Sequence, residues 1–137
     1  MPHHTVEVMH VSKRPVHELF ADLADHERLQ RVFVIPVRRI RNGETELNGV
    51  GSARRMGIGP LRLEETVTAI EPYRSIEYRI TRGGGPVKNH RGRLQFSSAG
   101  TGSHVVWTIE YDSLPIVGAA LRTVLERLLK RGLGKLA

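Results

Sequence analysis

The stretch LPIVGAALRTVLERLLKRGLGKL, residues 114–136, decides the fold. Val117, Leu121, Val124, Leu125 and Leu128 recur at i, i+4, i+7, i+8 and i+11, which predicts one apolar stripe of a helix. Arg122, Glu126, Arg127 and Lys130 fall off that stripe. Pro115 stands where the start of a helix tolerates proline. No other helical segment matches it in length, so its apolar face has to be covered by something else.

The segments before it supply the cover. SHVVWTIEYD (103–112) alternates, with Val105, Trp107, Ile109 and Tyr111 on one face. SIEYRIT (75–81) places Ile76, Tyr78 and Ile80 on one face, and VKNHRGRLQFSS (87–98) follows the triple glycine. Further upstream, GSARRM (51–56) and LRLEETVTAIEP (61–72) flank GIGP, a tight-turn sequence. VIPVRRIRNGE (34–44) reads as strand and turn, with Asn42-Gly43 as the turn pair. These six strands with hairpin-length connections predict an antiparallel meander.

At the other end, TVEVMHV (5–11) is a first strand, and His3 and His4 before it are expected in a frayed terminus. Two short helices follow. The first has Pro15 in its opening turn and Leu19, Phe20 and Leu23 on one side; the second is capped by Asp25 and runs through Leu29 and Val32. The order is strand, two short helices, six strands and one long helix. That predicts an α+β domain over residues 1–137 in which a curved antiparallel sheet wraps the C-terminal helix and leaves an internal cavity.

Bulk properties narrow the function. A chain of 137 residues is one domain's length, and a domain of that size buries roughly 68–70% of its unfolded surface. Cysteine is absent, which excludes disulfides, zinc–thiolate sites and thiol nucleophiles and fits a cytoplasmic location. No apolar run approaches the ~20 residues of a membrane span, and no signal peptide is visible. Net charge is +7, with a pI near 10.5, yet aromatic content is 5% and no stacking residues interleave the basic clusters. Nucleic acid is therefore not the expected partner, and the basic face of the last helix reads as solvated surface, with docking to an anionic membrane as the sharper alternative.

Several catalytic motifs are excluded. GVGSAR (49–54) has Arg54 where a dinucleotide fingerprint needs its third glycine, and no parallel βαβ unit surrounds it. The seven histidines show no paired metal-ligand spacing, and Gly-x-Ser-x-Gly is absent, so neither a metal nor a bound cofactor is expected. TRGGGPVKNHRGRL (81–94) is not a phosphate cradle, because a strand follows the glycines instead of a helix and Pro86 removes an amide donor. It reads as a flexible hairpin connection flanking the cavity mouth.

The element order resembles the helix-grip fold of the START-like, birch-pollen-allergen-like proteins, and within them the bacterial polyketide cyclase/dehydrase-like branch. RPVHELFADLAD resembles the family's opening helix. GVGSARRM, with Gly49, Gly51 and Arg54, resembles its glycine–x–glycine strand ending in arginine. LEETVTAIEP resembles the strand with an inward carboxylate, Glu65, and an acidic-proline turn, Glu71-Pro72. IEYRI resembles the next strand, and GTGSHVVWTIEY the Gly-Thr turn before the tryptophan strand. Where members often carry tryptophan after the second short helix, this chain has Phe33. The resemblance implies a cavity for a hydrophobic small molecule without fixing the chemistry, since carriers, transfer proteins, ligand sensors and cyclising enzymes share the fold.

Strand parity nominates the residues facing that cavity. Leu63 and Val67 carry Glu65 onto their face, Tyr78 lies with Ile76 and Ile80, and Leu94 and Phe96 turn His90 inward. The candidate ligand-binding set is Tyr78, Trp107, Tyr111, Arg54, Leu63, Val67, Ile80 and Leu121. His90 and Glu65 are the candidate catalytic pair, with His90 as base or acid and Glu65 tuning it or serving as a second acid. The structural alternative is that Glu65 pairs with Arg54 or Arg55 across the GIGP hairpin and only fixes strand register. Three functional readings follow. The first is binding, with or without transport, of a lipid, polyketide or isoprenoid; the second a polyketide cyclase or dehydratase; the third a basic adaptor for nucleic acid or an anionic membrane. No feature specifies an oligomeric state.

Overall fold

The structure is a computed structural model and describes residues 2–33, 35–57 and 62–136. Its elements are β1 (His3–Ser12), α1 (Val16–Ala24), α2 (Gln30–Phe33), β2 (Val37–Arg41), β3 (Ala53–Met56), β4 (Leu63–Glu71), β5 (Ser75–Gly83), β6 (Lys88–Ala99), β7 (Gly102–Asp112) and α3 (Pro115–Gly134). All seven strands form one sheet in the order β1-β7-β6-β5-β4-β3-β2, and each neighbouring pair is antiparallel. This is the expected helix-grip arrangement. Residues 58–61, which hold most of the expected GIGP turn and Leu61, lie outside the described residues.

The alternation along the strands is what forces the two-sided sheet. Val6 and Val8 of β1, Leu94 and Phe96 of β6, and Val105, Trp107, Ile109 and Tyr111 of β7 all point to one face and are buried there. Leu19 and Leu23 of α1, Val32 and Phe33 of α2, and Leu129 and Leu133 of α3 close over them in one core. Asp25 follows α1 and opens the next turn: its side chain accepts the Glu27 amide at 2.9 Å and its carbonyl the Leu29 amide at 3.3 Å, and that turn leads into α2 at Gln30. The N-terminal histidines are not frayed: His3 and His4 pair with Asp112 and Tyr111 in the ladder between β1 and β7.

The last helix is rotated from its expected setting. Val117 and Val124 are 40% and 55% exposed, whereas Gly118, Leu129, Gly132 and Leu133 are buried. Two glycines make the difference, and a count of apolar side chains does not register them. A Cβ on Gly118 would come within 2.1 Å of His4 Nε2, and one on Gly132 within 2.3 Å of the Val32 carbonyl oxygen. The helix thus lies hard against β1 near its start and against α2 near its end. Its middle, carrying Leu121, Leu125 and Leu128, spans an open space. Among the described residues, no helix is long and apolar enough to cross a membrane.

Candidate functional site

That open space is a cavity of about 450 Å³ between α3 and the concave face of the sheet. Phe33, Met56, Leu63, Ile80, Ile109 and the three leucines of α3 give it apolar walls. The polar side chains lining it are Arg62, Glu65, Tyr78, His90 and Tyr111.

A parting of two strands opens one side. β5 and β6 pair from Ser75↔Gln95 only as far as Tyr78↔Gly92. Past that point β6 carries a register irregularity between Lys88 and Arg91, with Asn89 in a left-handed conformation at φ 51°. The Ile80 amide, left without a strand partner on β6, donates instead to His90 Nδ1 at 3.1 Å. The loop joining the strands lines the gap, and Gly83, Gly84 and Gly85 all have positive φ, as the glycine run predicts. Gly92 has a different role. Its missing side chain leaves room for the Tyr78 ring, whose Cζ would lie 2.0 Å from any Cβ built there.

The hydrogen bond to Nδ1 fixes the chemistry of His90. A nitrogen that accepts a backbone N–H carries no proton, so in the neutral ring the proton resides on Nε2. Burial lowers the His90 pKa, and the Arg54 charge pushes the same way against the opposing pull of Glu65. Nε2 faces Glu65 Oε2 at 3.8 Å, too far for a hydrogen bond. Glu65 is committed through its other oxygen: Oε1 accepts from Arg54 Nε at 2.9 Å and pairs with Arg54 Nη2 at 2.8 Å. Both residues are buried, at 3% exposure for Arg54 and 7% for Glu65. The outer neighbours Arg55 and Glu64 pair separately at 3.2 Å.

Behind this pair lies a polar chain. Arg54 Nη1 donates to His26 Nδ1 at 3.1 Å. The proton on His26 Nε2 then points to Ser52 Oγ at 2.7 Å, and Ser52 donates to the Gly49 carbonyl. His26 is fully buried. Burial first, and the Arg54 and Arg39 charges second, hold its pKa down at about 3. On the other flank, the Arg54 guanidinium sits 4.7 Å from the centre of the Tyr78 ring. Tyr78 Oη accepts from Trp107 Nε1 at 2.8 Å, and burial raises the Tyr78 pKa.

Glu65, His90, Tyr78, Tyr111, Leu63, Ile80 and Leu121 all line the cavity. Trp107, Arg54 and Val67 face the same side but do not line it. Trp107 is covered by Phe33, packed edge-on at 5.6 Å, and by its bond to Tyr78. Arg54 is covered by Tyr78 and Glu65, and Val67 belongs to the buried core. Parity assigns a face and says nothing about the layer, which is why these three stand one shell behind the wall. His26 and Ser52 escape sequence reading because both sit in irregular segments without periodicity. Their only signal is the glycine pair bracketing Val50, where Gly51, next to Ser52, takes φ 89°.

The family described as polyketide cyclase/dehydrase and lipid transport matches residues 3–137. The chain belongs to this family. No curated protein matches its sequence. Among solved structures, a protein from Nitrosospira multiformis superposes with a TM-score of 0.76 at 17% identity, covering 95% of this chain and 93% of its own. The crystal structure of Ara h 8.0201 superposes with a TM-score of 0.71 at 18% identity, covering 98% and 97%. A protein from Thermobifida fusca gives 0.72 at 19% identity, covering 96% and 94%. At these identities the likeness is one of fold. It extends over essentially the whole chain and agrees with the START-like assignment.

Proposed function

We propose that the protein binds a hydrophobic small molecule, of the lipid, polyketide or isoprenoid kind, inside this cavity. The observation that carries the proposal is the 450 Å³ space with mostly apolar walls and a small cluster of polar groups, in the size range and character of small-molecule sites. Membership of a family whose description includes lipid transport points the same way.

The geometry favours binding over acid–base catalysis in the same cavity. A general base needs a free lone pair within reach of substrate. The His90 lone pair is taken by the Ile80 amide, and Nε2 presents only a proton that a neutral imidazole does not surrender near neutral pH. Glu65 has one carboxylate oxygen, Oε1, held in a buried ion pair with Arg54, which fixes the side chain in place. Both groups are thereby suited to hold a ligand's polar atom in place. Native mass spectrometry of the protein purified from its own host tests the proposal. A one-to-one adduct of a few hundred daltons that is released on denaturation is the expected result. Absence of any adduct, together with failure to take up apolar dyes or fatty acids, would overturn it.

A further inference from the structure

We propose that the cavity selects ligands ending in a neutral hydroxyl, an alcohol or a phenol, seated between Glu65 and His90. This rests on the ligand-binding reading above and specifies its chemistry. Two polar atoms at the cavity wall have no hydrogen-bond partner among the described residues. One is Glu65 Oε2, an acceptor, since Arg54 engages only Oε1. The other is His90 Nε2, a donor, since the Ile80 amide occupies Nδ1. They face each other at 3.8 Å with little exposure, 9% and 7% for the two side chains.

A single atom reaches both. An oxygen about 2.8 Å from each is within normal hydrogen-bond length, because the gap is shorter than twice that distance. That oxygen must accept from His90 and donate to Glu65, which a hydroxyl does. A carbonyl or ether accepts but cannot donate, and it leaves the Glu65 oxygen buried without a partner. A carboxylate adds a like charge beside Glu65, and the neighbouring Arg54 is already spent on Glu65 and His26. An ammonium has no lone pair for the His90 proton. Sites built around a substrate hydroxyl discriminate strongly against analogues lacking it, because their own polar groups are then stranded.

The test uses the wild-type chain and four probes of equal length: 1-dodecanol, 1-methoxydodecane, dodecanoate and dodecylammonium. Each displaces bound 1-aminoanthracene at pH 7.5, below its aggregation concentration. The alcohol is expected to bind at least tenfold more tightly than each of the others. In Glu65→Gln, which can place an amide N–H donor where the free carboxylate oxygen accepts, and with folding checked by Trp107 fluorescence, the alcohol-to-ether ratio is expected to collapse to about one. Binding of all four with no advantage for the alcohol, or with the acid preferred, overturns this inference and leaves the cavity reading standing. Failure of both dye and probes to bind at all overturns the cavity reading, and this inference with it.

Discussion

Protonation of His26 gives a quantitative handle on the buried polar chain. In the folded state both ring nitrogens are engaged in the neutral form, and the pKa is held at about 3, against an ordinary 6.5. Between these two values the unfolded chain binds a proton that the folded chain refuses, so stability falls as pH falls. The loss is nil above about pH 7. At pH 5 the difference in proton binding amounts to about 2 kcal/mol, and the full shift is worth at most roughly 5 kcal/mol near pH 3. The perturbation is His26→Gln, whose amide can accept from Arg54 and donate to Ser52 without titrating. Urea unfolding followed by Trp107, the single tryptophan and a fully buried one, reports stability at pH 8 and pH 5. His90 and His10 also have lowered pKa values and add pH dependence of the same sign to both proteins, so the difference between the two is the readout. The wild type should lose about 2 kcal/mol more than the variant over this interval. Parallel stability losses in the two proteins would refute the assignment of a buried neutral His26.

The ion pair and the glycine under Tyr78 yield two more expectations. Arg54→Met leaves Glu65 buried and unpaired and should cost about 3–5 kcal/mol in urea unfolding, while the double variant Arg54→Met/Glu65→Leu should recover most of that loss. Equal destabilisation by the single and double changes would mean that the charge pairing is not what matters there. Gly92→Ala drives a methyl into the Tyr78 ring and should cost about 1–3 kcal/mol, with the displaced ring weakening uptake of apolar dye. An unchanged melting temperature and unchanged dye uptake would contradict the packing described.

Much of this architecture can be read from residue order alone, and the exceptions have physical causes. Strand alternation puts Glu65, Tyr78, His90 and Tyr111 on the inner face because a pleated strand allows only two directions, and the structure has them there. The same rule puts Trp107 inward but gives no sign that Phe33 and Tyr78 seal it off. The rotation of α3 is hidden because close approach is made by Gly118 and Gly132, residues with no side chain to count. Nor does the sequence reveal that the Ile80 amide captures His90 Nδ1. That contact depends on β5 and β6 parting after Tyr78, and it turns a candidate base into a hydrogen-bond donor. His26 and Ser52 lie 26 positions apart in irregular segments, and only the folded chain brings them to 2.7 Å.

The proposed ligand site is the space under the middle of α3. Its most direct test is a fluorescence titration with 1-aminoanthracene comparing the wild type with Leu121→Trp/Leu125→Trp, in which two indoles project from the lining helix into the cavity. One saturable site per chain is predicted for the wild type, and loss of that site is predicted for a variant that still unfolds cooperatively. Undiminished binding in the filled variant, or no saturable binding in the wild type, would contradict the claim.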